Sequence, residues 1–307
     1  MGSRVSRIHN PSRTVYLFVN GSAVQFDPSE LQIAPKLYIH KVGDDTAPLL
    51  EAAGVPDAKA LIGESSFFIE CRQAIDNQEG GLPFDLIKAM ILCTEAEVQP
   101  GAMITFEEGI GPIGVPPAGD SRSICWGHYN HMIDEHGLQA AADLLPGILN
   151  ADTDEKYHRV GNALRFYDNG YFSTNADFAL VAFTTCLEGL FSTTAQELSF
   201  RLSLRVAHFL GETIAERRKL FTETREVYEY RSKLVHGAPI AKDSEQAAIH
   251  LVEGIVPTVE RIGRRSLRRI FERRLEELFK TGSKVDLLFD EMLFSGSLDD
   301  ALRAINN

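Results

Sequence analysis

The stretch LFTETREVYEYRSKLVHG, residues 220–237, is the part of the chain that indicates the fold most clearly. Its apolar residues recur at steps of three and four, which is typical of an amphipathic helix. Gly237 can adopt the left-handed conformation just past a helix end, and Pro239 cannot continue a helix. The pattern therefore predicts a helix over residues 212–236, which carries Arg231 and His236 in its last two turns.

These two side chains suggest a phosphate-handling pair. Arginine is always charged and presents paired donors to a phosphate, while histidine titrates near neutral pH. On an ideal helix, however, a five-residue separation leaves two side chains about 140° apart. Arg231 and His236 therefore meet only if the last turn loosens or if a dimer brings two helix ends together. The structural alternative is that the two cations only stabilise the negative end of the helix dipole.

An arginine followed by a histidine after four to six residues is weak evidence by itself, because the pattern occurs four times in this chain. Only in the pair Arg231 and His236 does the histidine end a predicted helix and stand directly before a glycine. The other three pairs are Arg4 with His9, Arg122 with His128, and Arg201 with His208.

Three segments carry a resemblance to a known family. CLEGLF at 186–191, AQELSFRLSLRVAHFLG at 195–211 and VYEYRSKLVHG at 227–237 resemble the ApeA-like branch of the HEPN family, over roughly residues 155–290. HEPN domains are helical and usually dimeric, and many are metal-independent ribonucleases with an Arg-x(4–6)-His motif. The resemblance implies a homodimeric helical bundle, with Arg231 and His236 as the catalytic pair.

The same resemblance implies supporting residues and a reaction. Glu188 matches an acidic position that often accompanies the motif, where it would orient Arg231 or form a purely structural ion pair. Ser232 follows the motif arginine, where Asn, Asp or His is common, and Lys233 is a candidate phosphate contact. The implied reaction is attack of the ribose 2′-hydroxyl on its own phosphodiester, with His236 as general acid or base. This chemistry requires no metal and no other cofactor.

The family also implies a biological setting, in which the enzyme cleaves RNA in phage defence or in a toxin system. The N-terminal part would then sense a ligand or partner, or restrain the nuclease.

The alternative is a non-catalytic module, in which the helical bundle serves dimerisation or partner binding. A weaker third alternative, a metal-binding enzyme, rests on the segment CWGHYNHMIDEH at residues 125–136, which matches no known zinc pattern. Its metal-capable side chains are Cys125, His128, His131 and His136.

Seven arginines in residues 261–274 form a second basic feature. A charged helical face of this kind is usually paired with acidic side chains and hydrated. The functional alternative is an RNA-binding face that includes Arg264, Arg265 and Arg268, although few aromatic residues accompany them for base stacking. At helical spacing, the remaining apolar stripe consists of Ile262, Leu267, Ile270, Phe271 and Leu275.

Composition limits the functional classes. The net charge is −12, with 9 Lys and Arg against 19 Asp and Glu in residues 1–150, and 22 against 24 in residues 151–307. This acidity argues against a general RNA-binding protein but not against a selective nuclease, which needs only a local positive site. The chain has no apolar run long enough for a membrane span, and its four cysteines are scattered. We therefore expect a cytoplasmic protein.

The expected fold is α+β, with a mixed, mostly β domain over residues 1–150 and an all-α HEPN bundle over residues 151–307. In the first domain, TVYLFVN and AVQF predict a hairpin and FFIEC a strand, while the segment from Pro83 to Gln99 fits either a helix or a strand. GIGPIGVPPAG predicts a loop, and Pro146 is expected to interrupt the next helix. Five longer helices follow at 154–169, 175–191, 194–210, 212–236 and 243–280, and two short ones at 284–294 and 297–305.

Overall fold

The computed structural model describes residues 13–26, 30–63, 65–72, 81–107, 111–115, 132–153, 155–194, 196–237 and 249–306. These residues form two compact units, which divide between Leu145 and Pro146. The first contains an antiparallel sheet and the second is mostly helical, so the predicted order of a β-containing part and a helical part is confirmed. The domain boundary expected after residue 150 falls in the same helix as this division.

The first unit is built on a six-stranded antiparallel sheet. Its central strand is buried from Thr14 to Val19 on both faces, so that strand is a continuous apolar run and not an alternating one. The strands are β1 (Thr14–Gly21), β3 (Glu30–Ala34), β4 (Leu37–Lys41), β5 (Phe67–Arg72), β6 (Val98–Glu107) and β7 (Gly111–Val115), in the spatial order β3-β4-β5-β1-β6-β7. Two further strands, β2 (Ala23–Gln25) and β8 (Met132–Asp134), form a separate parallel pair.

Three helices accompany this sheet, namely α1 (Thr46–Ala52), α2 (Ala58–Ile62) and α3 (Leu82–Thr94). α1 and α2 share one apolar cluster with residues of β1 and β6, such as Phe18 and Ile104. The ambiguous segment after Pro83 is a helix followed by a strand, because its first part is apolar on nearly every side and is buried as α3.

Two predictions for this unit are wrong. β1 and β2 do not form a hairpin, since both edges of β1 are occupied by β5 and β6. Gly21 has a φ of +100°, and the N–H of Ser22 donates to the carbonyl of Glu97 at 2.8 Å, which directs the chain away from β1. The segment Gly111–Val115 is an edge strand and not a loop, because β6 supplies its pairing partners. Pro112 is tolerated at such an edge.

The helix α4 (Glu135–Thr153) continues through Pro146, so the predicted interruption is wrong. Proline lacks the N–H that would bond to the carbonyl of Ala142. Pro146 lies on the exposed side of α4, where water can hydrate that carbonyl. The missing hydrogen bond therefore does not end the helix.

The helical unit contains the predicted helices, with shifted ends. The last long helix differs most. Residues 243–248 of the region predicted at 243–280 lie outside the described residues, and the rest combines a π-helical segment (Leu251–Ile255), an α-helix and a 3₁₀ turn (Glu276–Phe279). In the part of this unit that the structure describes, the α-helices are α5 (His158–Tyr171), α6 (Ala176–Phe191), α7 (Leu198–Leu210), α8 (Ile214–Val235), α9 (Val256–Glu272), α10 (Gly282–Ser295) and α11 (Leu298–Asn306).

The core of this unit is partly aromatic. Phe191 of α6 packs against Phe209, Phe279 and Phe289, with ring centroids 5.4 to 6.1 Å apart. The predicted apolar stripe is buried, from Ile262 in α9 to Leu275 just after its end. The Phe191 contacts join α6 to α7 and α10, and α8 and α9 also pack against α6, which positions the side chains of the candidate site.

Candidate functional site

The helix α8 has defined ends. At its start, Thr213 accepts a hydrogen bond from the backbone N–H of Glu216, and the Glu216 carboxylate accepts one from the N–H of Thr213, which is a capping box. At its end, the N–H of His236 donates to the carbonyl of Ser232 at 3.1 Å, and Gly237 has a φ of +66°. The predicted helix end at Gly237 is confirmed, and the helix is regular through Val235.

Arg231 faces α6 and forms an ion pair with Glu188. Its Nη2 lies 3.6 Å from Glu188 Oε1, and the two side chains are 22% and 20% exposed. Arg231 Nε and Glu188 Oε1 are buried, and neither has a hydrogen-bond partner among the residues that the structure describes. A half-buried cation therefore keeps one donor that no described protein group satisfies, which is an unfavourable arrangement unless water or a ligand completes it.

Tyr228 is the third member of this group and was not among the residues predicted from the sequence. Its ring centroid lies 5.7 Å from the Arg231 guanidinium carbon. Burial and the nearby Glu188 carboxylate raise the pKa of the Tyr228 hydroxyl, while Arg231 acts in the opposite direction. The three-residue spacing between Tyr228 and Arg231, which places both on one helix face, is the signal that could have found it.

His236 is exposed at the end of α8. Because the helix does not loosen before Val235, the five-residue separation leaves Arg231 and His236 on different sides of α8, about 140° apart. One chain by itself therefore does not direct the two side chains to a common point. Of the predicted supporting residues, Ser232 is half-buried and Lys233 pairs with Glu229 at 3.0 Å.

Arg264 lies inside the helical unit. Its Nε donates to Glu260 Oε1 at 3.1 Å, and the Tyr167 hydroxyl donates to the same oxygen at 2.6 Å. This burial corrects the expectation for Arg264, since a side chain held in the interior by a carboxylate is not available to RNA in this conformation.

The other two arginines predicted to bind RNA lie nearer the surface. Arg268 pairs with Glu272 at 2.6 Å, and both side chains are exposed. Arg265 is half-buried, and burial together with the neighbouring Arg261 and Arg269 lowers the pKa of its guanidinium. The carboxylates of Glu216 and Glu223 act in the opposite direction on that pKa. The exposed part of α9 is thus a largely salt-bridged surface, since Arg261 and Arg269 also pair with glutamates.

Metal-capable side chains occur at two places. His136 lies at the start of α4, while Cys125, His128 and His131 fall outside the described residues. In the N-terminal sheet, potential ligand atoms of Glu30, His40 and Glu70 lie within 4.8 Å of one another. Sequence alone could not have revealed this second group, because it depends on the register that sets Glu30 opposite His40.

The guanidinium of Arg72 already balances the charge of this second group. Its Nε and Nη2 lie 2.7 and 3.0 Å from the two oxygens of Glu70. The other neighbour of that carboxylate is His40, whose Nε2 lies 2.7 Å from Oε2. A bound metal ion would have to compete with an arginine for Glu70, so the group is better described as a structural polar network.

Comparisons of the chain with protein-family models, with curated proteins and with solved structures found no match. Within the described ranges, no helix combines the length and the apolar character needed to cross a membrane. The case for a function therefore rests on the residues around α8 and on the resemblance of their sequence to HEPN domains.

Proposed function

We propose that the chain is a metal-independent HEPN-type RNA endonuclease that acts as a cytoplasmic homodimer, in phage defence or in a toxin system. The observation that carries this proposal is the half-buried Arg231–Glu188 pair near the end of α8, with a buried Arg231 Nε that lacks a described partner. The Arg231 side chain is held by a carboxylate and stays 22% exposed, so its guanidinium can present N–H groups to a phosphate oxygen.

The reaction we propose forms a cyclic phosphate. The ribose 2′-oxygen attacks phosphorus and gives its proton to a general base, the bond from phosphorus to the 5′-oxygen breaks, and a general acid protonates the 5′-oxygen. His236 serves in one of these proton transfers, because it is exposed at the end of α8 and an imidazole can accept or donate a proton. Arg231 stabilises the charge on the phosphate oxygens, while Glu188 and Tyr228 position the guanidinium.

A second copy of the chain completes the site in this proposal. Arg231 and His236 lie on different sides of α8, so the histidine that works with a given arginine comes from the partner. Arg265 and Arg268 extend the positive surface available to RNA, and the N-terminal unit serves in sensing or restraint. No step requires a metal or another cofactor.

The test is cleavage of single-stranded RNA and of mixed tRNA by the purified chain in EDTA. We expect cleavage by the wild type, and a loss of about 10²- to 10⁴-fold in His236→Ala and Arg231→Ala. Arg218→Ala removes an exposed arginine of the same helix and should leave the rate unchanged. Cleavage that persists in His236→Ala, or that EDTA abolishes, would contradict the proposed mechanism.

The alternative is a non-catalytic dimerisation or partner-binding module. It is favoured by the separation of Arg231 and His236 around α8, because a helix end decorated with cations needs no catalytic role. A module of this kind would dimerise without cleaving RNA at any enzyme concentration tested. Its dimerisation would also persist in Arg231→Ala and His236→Ala.

A further inference from the structure

A groove between α7 and α10 encloses a cavity of about 300 Å³. On the α7 side, Arg201, Leu204 and His208 follow one another at steps of three and four and therefore share a face. On the α10 side, Phe289 and Leu293 contribute an apolar wall. The volume lies at the lower end of the range for small-molecule sites, and the lining combines an apolar surface with a few polar groups.

Positive charge is in excess beneath this groove. A single carboxylate, Asp286, pairs with Arg205 through a charge-assisted hydrogen bond, and its Oδ1 lies 3.6 Å from Arg201 Nη2. Arg159 belongs to the same group, since burial and Arg205 lower the pKa of its guanidinium while Asp286 acts in the opposite direction. Three guanidinium groups thus surround one carboxylate beneath the groove. Two further carboxylates, Glu197 and Asp290, line the groove itself, but both residues are exposed, where solvent and salt screen their charge.

Arg201 is the guanidinium with spare binding capacity. Its contacts with Thr194 Oγ1 at 3.3 Å and with Asp286 at 3.6 Å are long, and its side chain is 38% exposed. Arg205, by contrast, is buried, donates to the carbonyl of Phe191 at 2.7 Å and lies over the Phe289 ring at 5.1 Å. Arg205 therefore shapes the groove, and Arg201 is the group that an incoming anion can reach.

His208 adds a polar group without a described partner. Its Nδ1 is buried and accepts or donates no hydrogen bond among the residues that the structure describes. Burial, together with Arg217, lowers the pKa of the ring. A neutral imidazole can offer one donor and one acceptor to a ligand. Arg201 and His208 are also one of the four Arg–His pairs noted in the sequence, and the nuclease proposal does not use them.

We propose that this groove is a binding site for a small organic anion. A phosphate or carboxylate group binds Arg201, and an apolar or aromatic body packs over Phe289 and Leu293. His208 hydrogen-bonds to a polar atom of that body or of the anionic group. The site is separate from the Arg231–Glu188 pair and does not depend on the chain being a nuclease.

The test is a titration of the full chain with phenyl phosphate, benzoate and inorganic phosphate. Binding is measured by calorimetry and by the shift in the thermal unfolding temperature. We expect saturable binding of phenyl phosphate, of benzoate or of both. The one that binds more tightly shows whether the site prefers a phosphate or a carboxylate group. Inorganic phosphate should bind at least about tenfold more weakly, because it lacks the apolar body.

Three variants locate the site. Arg201→Gln should weaken binding of the aromatic anion by at least about tenfold, since it removes a charge-assisted contact. Leu204→Trp keeps every charge but fills the cavity, and should abolish binding. Arg218→Gln removes an exposed arginine elsewhere in the unit and should leave the affinity unchanged. Thermal unfolding without ligand shows that each variant is folded.

Several results would overturn the proposal. One is that neither aromatic anion binds at millimolar concentration. Others are that Arg201→Gln and wild type bind equally well, that folded Leu204→Trp retains affinity, or that inorganic phosphate binds as tightly as phenyl phosphate. Because binding is measured without RNA, these outcomes are independent of whether the chain cleaves RNA.

Discussion

The Glu260 carboxylate accepts hydrogen bonds from Tyr167 and Arg264 in the interior of the helical unit. Glu260 is 1% exposed and Arg264 is 6% exposed. Breaking a buried pair by removing one partner leaves the other charge without compensation, which usually costs about 3–5 kcal/mol. We therefore expect Glu260→Ala to lower the free energy of unfolding by about that amount, measured by urea denaturation.

The matched control for this prediction is Glu272→Ala, which breaks the pair with Arg268 on the same helix. Both side chains of that pair are exposed, so the expected cost is below about 1 kcal/mol. Equal effects of the two substitutions would contradict the assignment of Arg264 to a buried structural role.

Glu70 gives the N-terminal unit a dependence on pH. Burial alone would raise the pKa of its carboxyl group, but hydrogen bonds from His40 and Arg72 outweigh burial and hold it below the ordinary value of 4.5. As the pH falls, the Glu70 carboxyl group therefore becomes protonated in the unfolded chain before it does so in the folded chain. The stabilisation is complete above about pH 4.5 and is lost as the pH falls through the lower folded pKa.

The measurement is urea denaturation between pH 3 and pH 7, followed in wild type and in Glu70→Gln. The difference in unfolding free energy between the two should be largest near neutral pH and should shrink below about pH 4.5. The other acidic groups are present in both proteins, so their contributions to the unfolding free energy cancel in this difference. A difference that grows on acidification would show that the pKa of Glu70 is raised in the folded state.

At the scale of helices and strands, local patterns predicted much of the fold. Helical periodicity and Gly237 located the end of α8, and the short helix predicted at 297–305 is α11. The failures share a cause, since strand pairing depends on residues distant in sequence. β1 pairs with β5 and β6, which lie about 50 and 80 residues away, so nothing local separates this arrangement from a hairpin.

The candidate site could likewise be predicted from the sequence only in part. The family resemblance suggested that Glu188 orients Arg231, and the structure brings the two to 3.6 Å. Arg264 was misassigned because a run of arginines does not show which member points inward. Arg264 is held by Glu260, and that carboxylate also bonds to Tyr167, which is 93 residues from Glu260 and lies on another helix.

The packing of α5 against α6 gives a prediction at this scale. A Cβ at Gly170 would lie 2.8 Å from the Phe183 ring, whereas a Cβ at Gly189 would lie 3.6 Å from Ala163. Alanine favours a helix over glycine by about 1 kcal/mol, but overpacking a core costs about 1–3 kcal/mol. We expect Gly170→Ala to destabilise the unit and Gly189→Ala to stabilise it or leave it unchanged, in urea denaturation. Equal effects would argue against the close approach at Gly170.

At the scale of the whole molecule, charge is distributed unevenly. Residues 1–150 carry most of the net charge of −12, while residues 151–307 are close to neutral. An acidic chain repels RNA over long distances, and salt screens this repulsion. A nuclease of this composition would select its substrate by a local site, not by general attraction to phosphate.

The proposed composite site makes a prediction about mixed dimers. If each site takes Arg231 from one chain and His236 from the other, then a heterodimer of Arg231→Ala and His236→Ala contains one intact site and one that lacks both residues. Random exchange of equal amounts makes about half of the dimers heterodimers, so about a quarter of wild-type activity should return. Each variant alone should remain inactive.

The experiment mixes the two purified variants, allows subunits to exchange, and follows RNA cleavage over time. Cleavage should appear at the rate of subunit exchange, because no intact site exists before mixing. A mixture of two preparations of His236→Ala controls for contaminating nuclease. If the exchanged mixture stays inactive while the wild type cleaves RNA, both residues of a site come from one chain. The last turn of α8 would then have to rearrange when RNA binds, because α8 is helical through Val235 and ideal helical spacing separates positions 231 and 236 by about 140°.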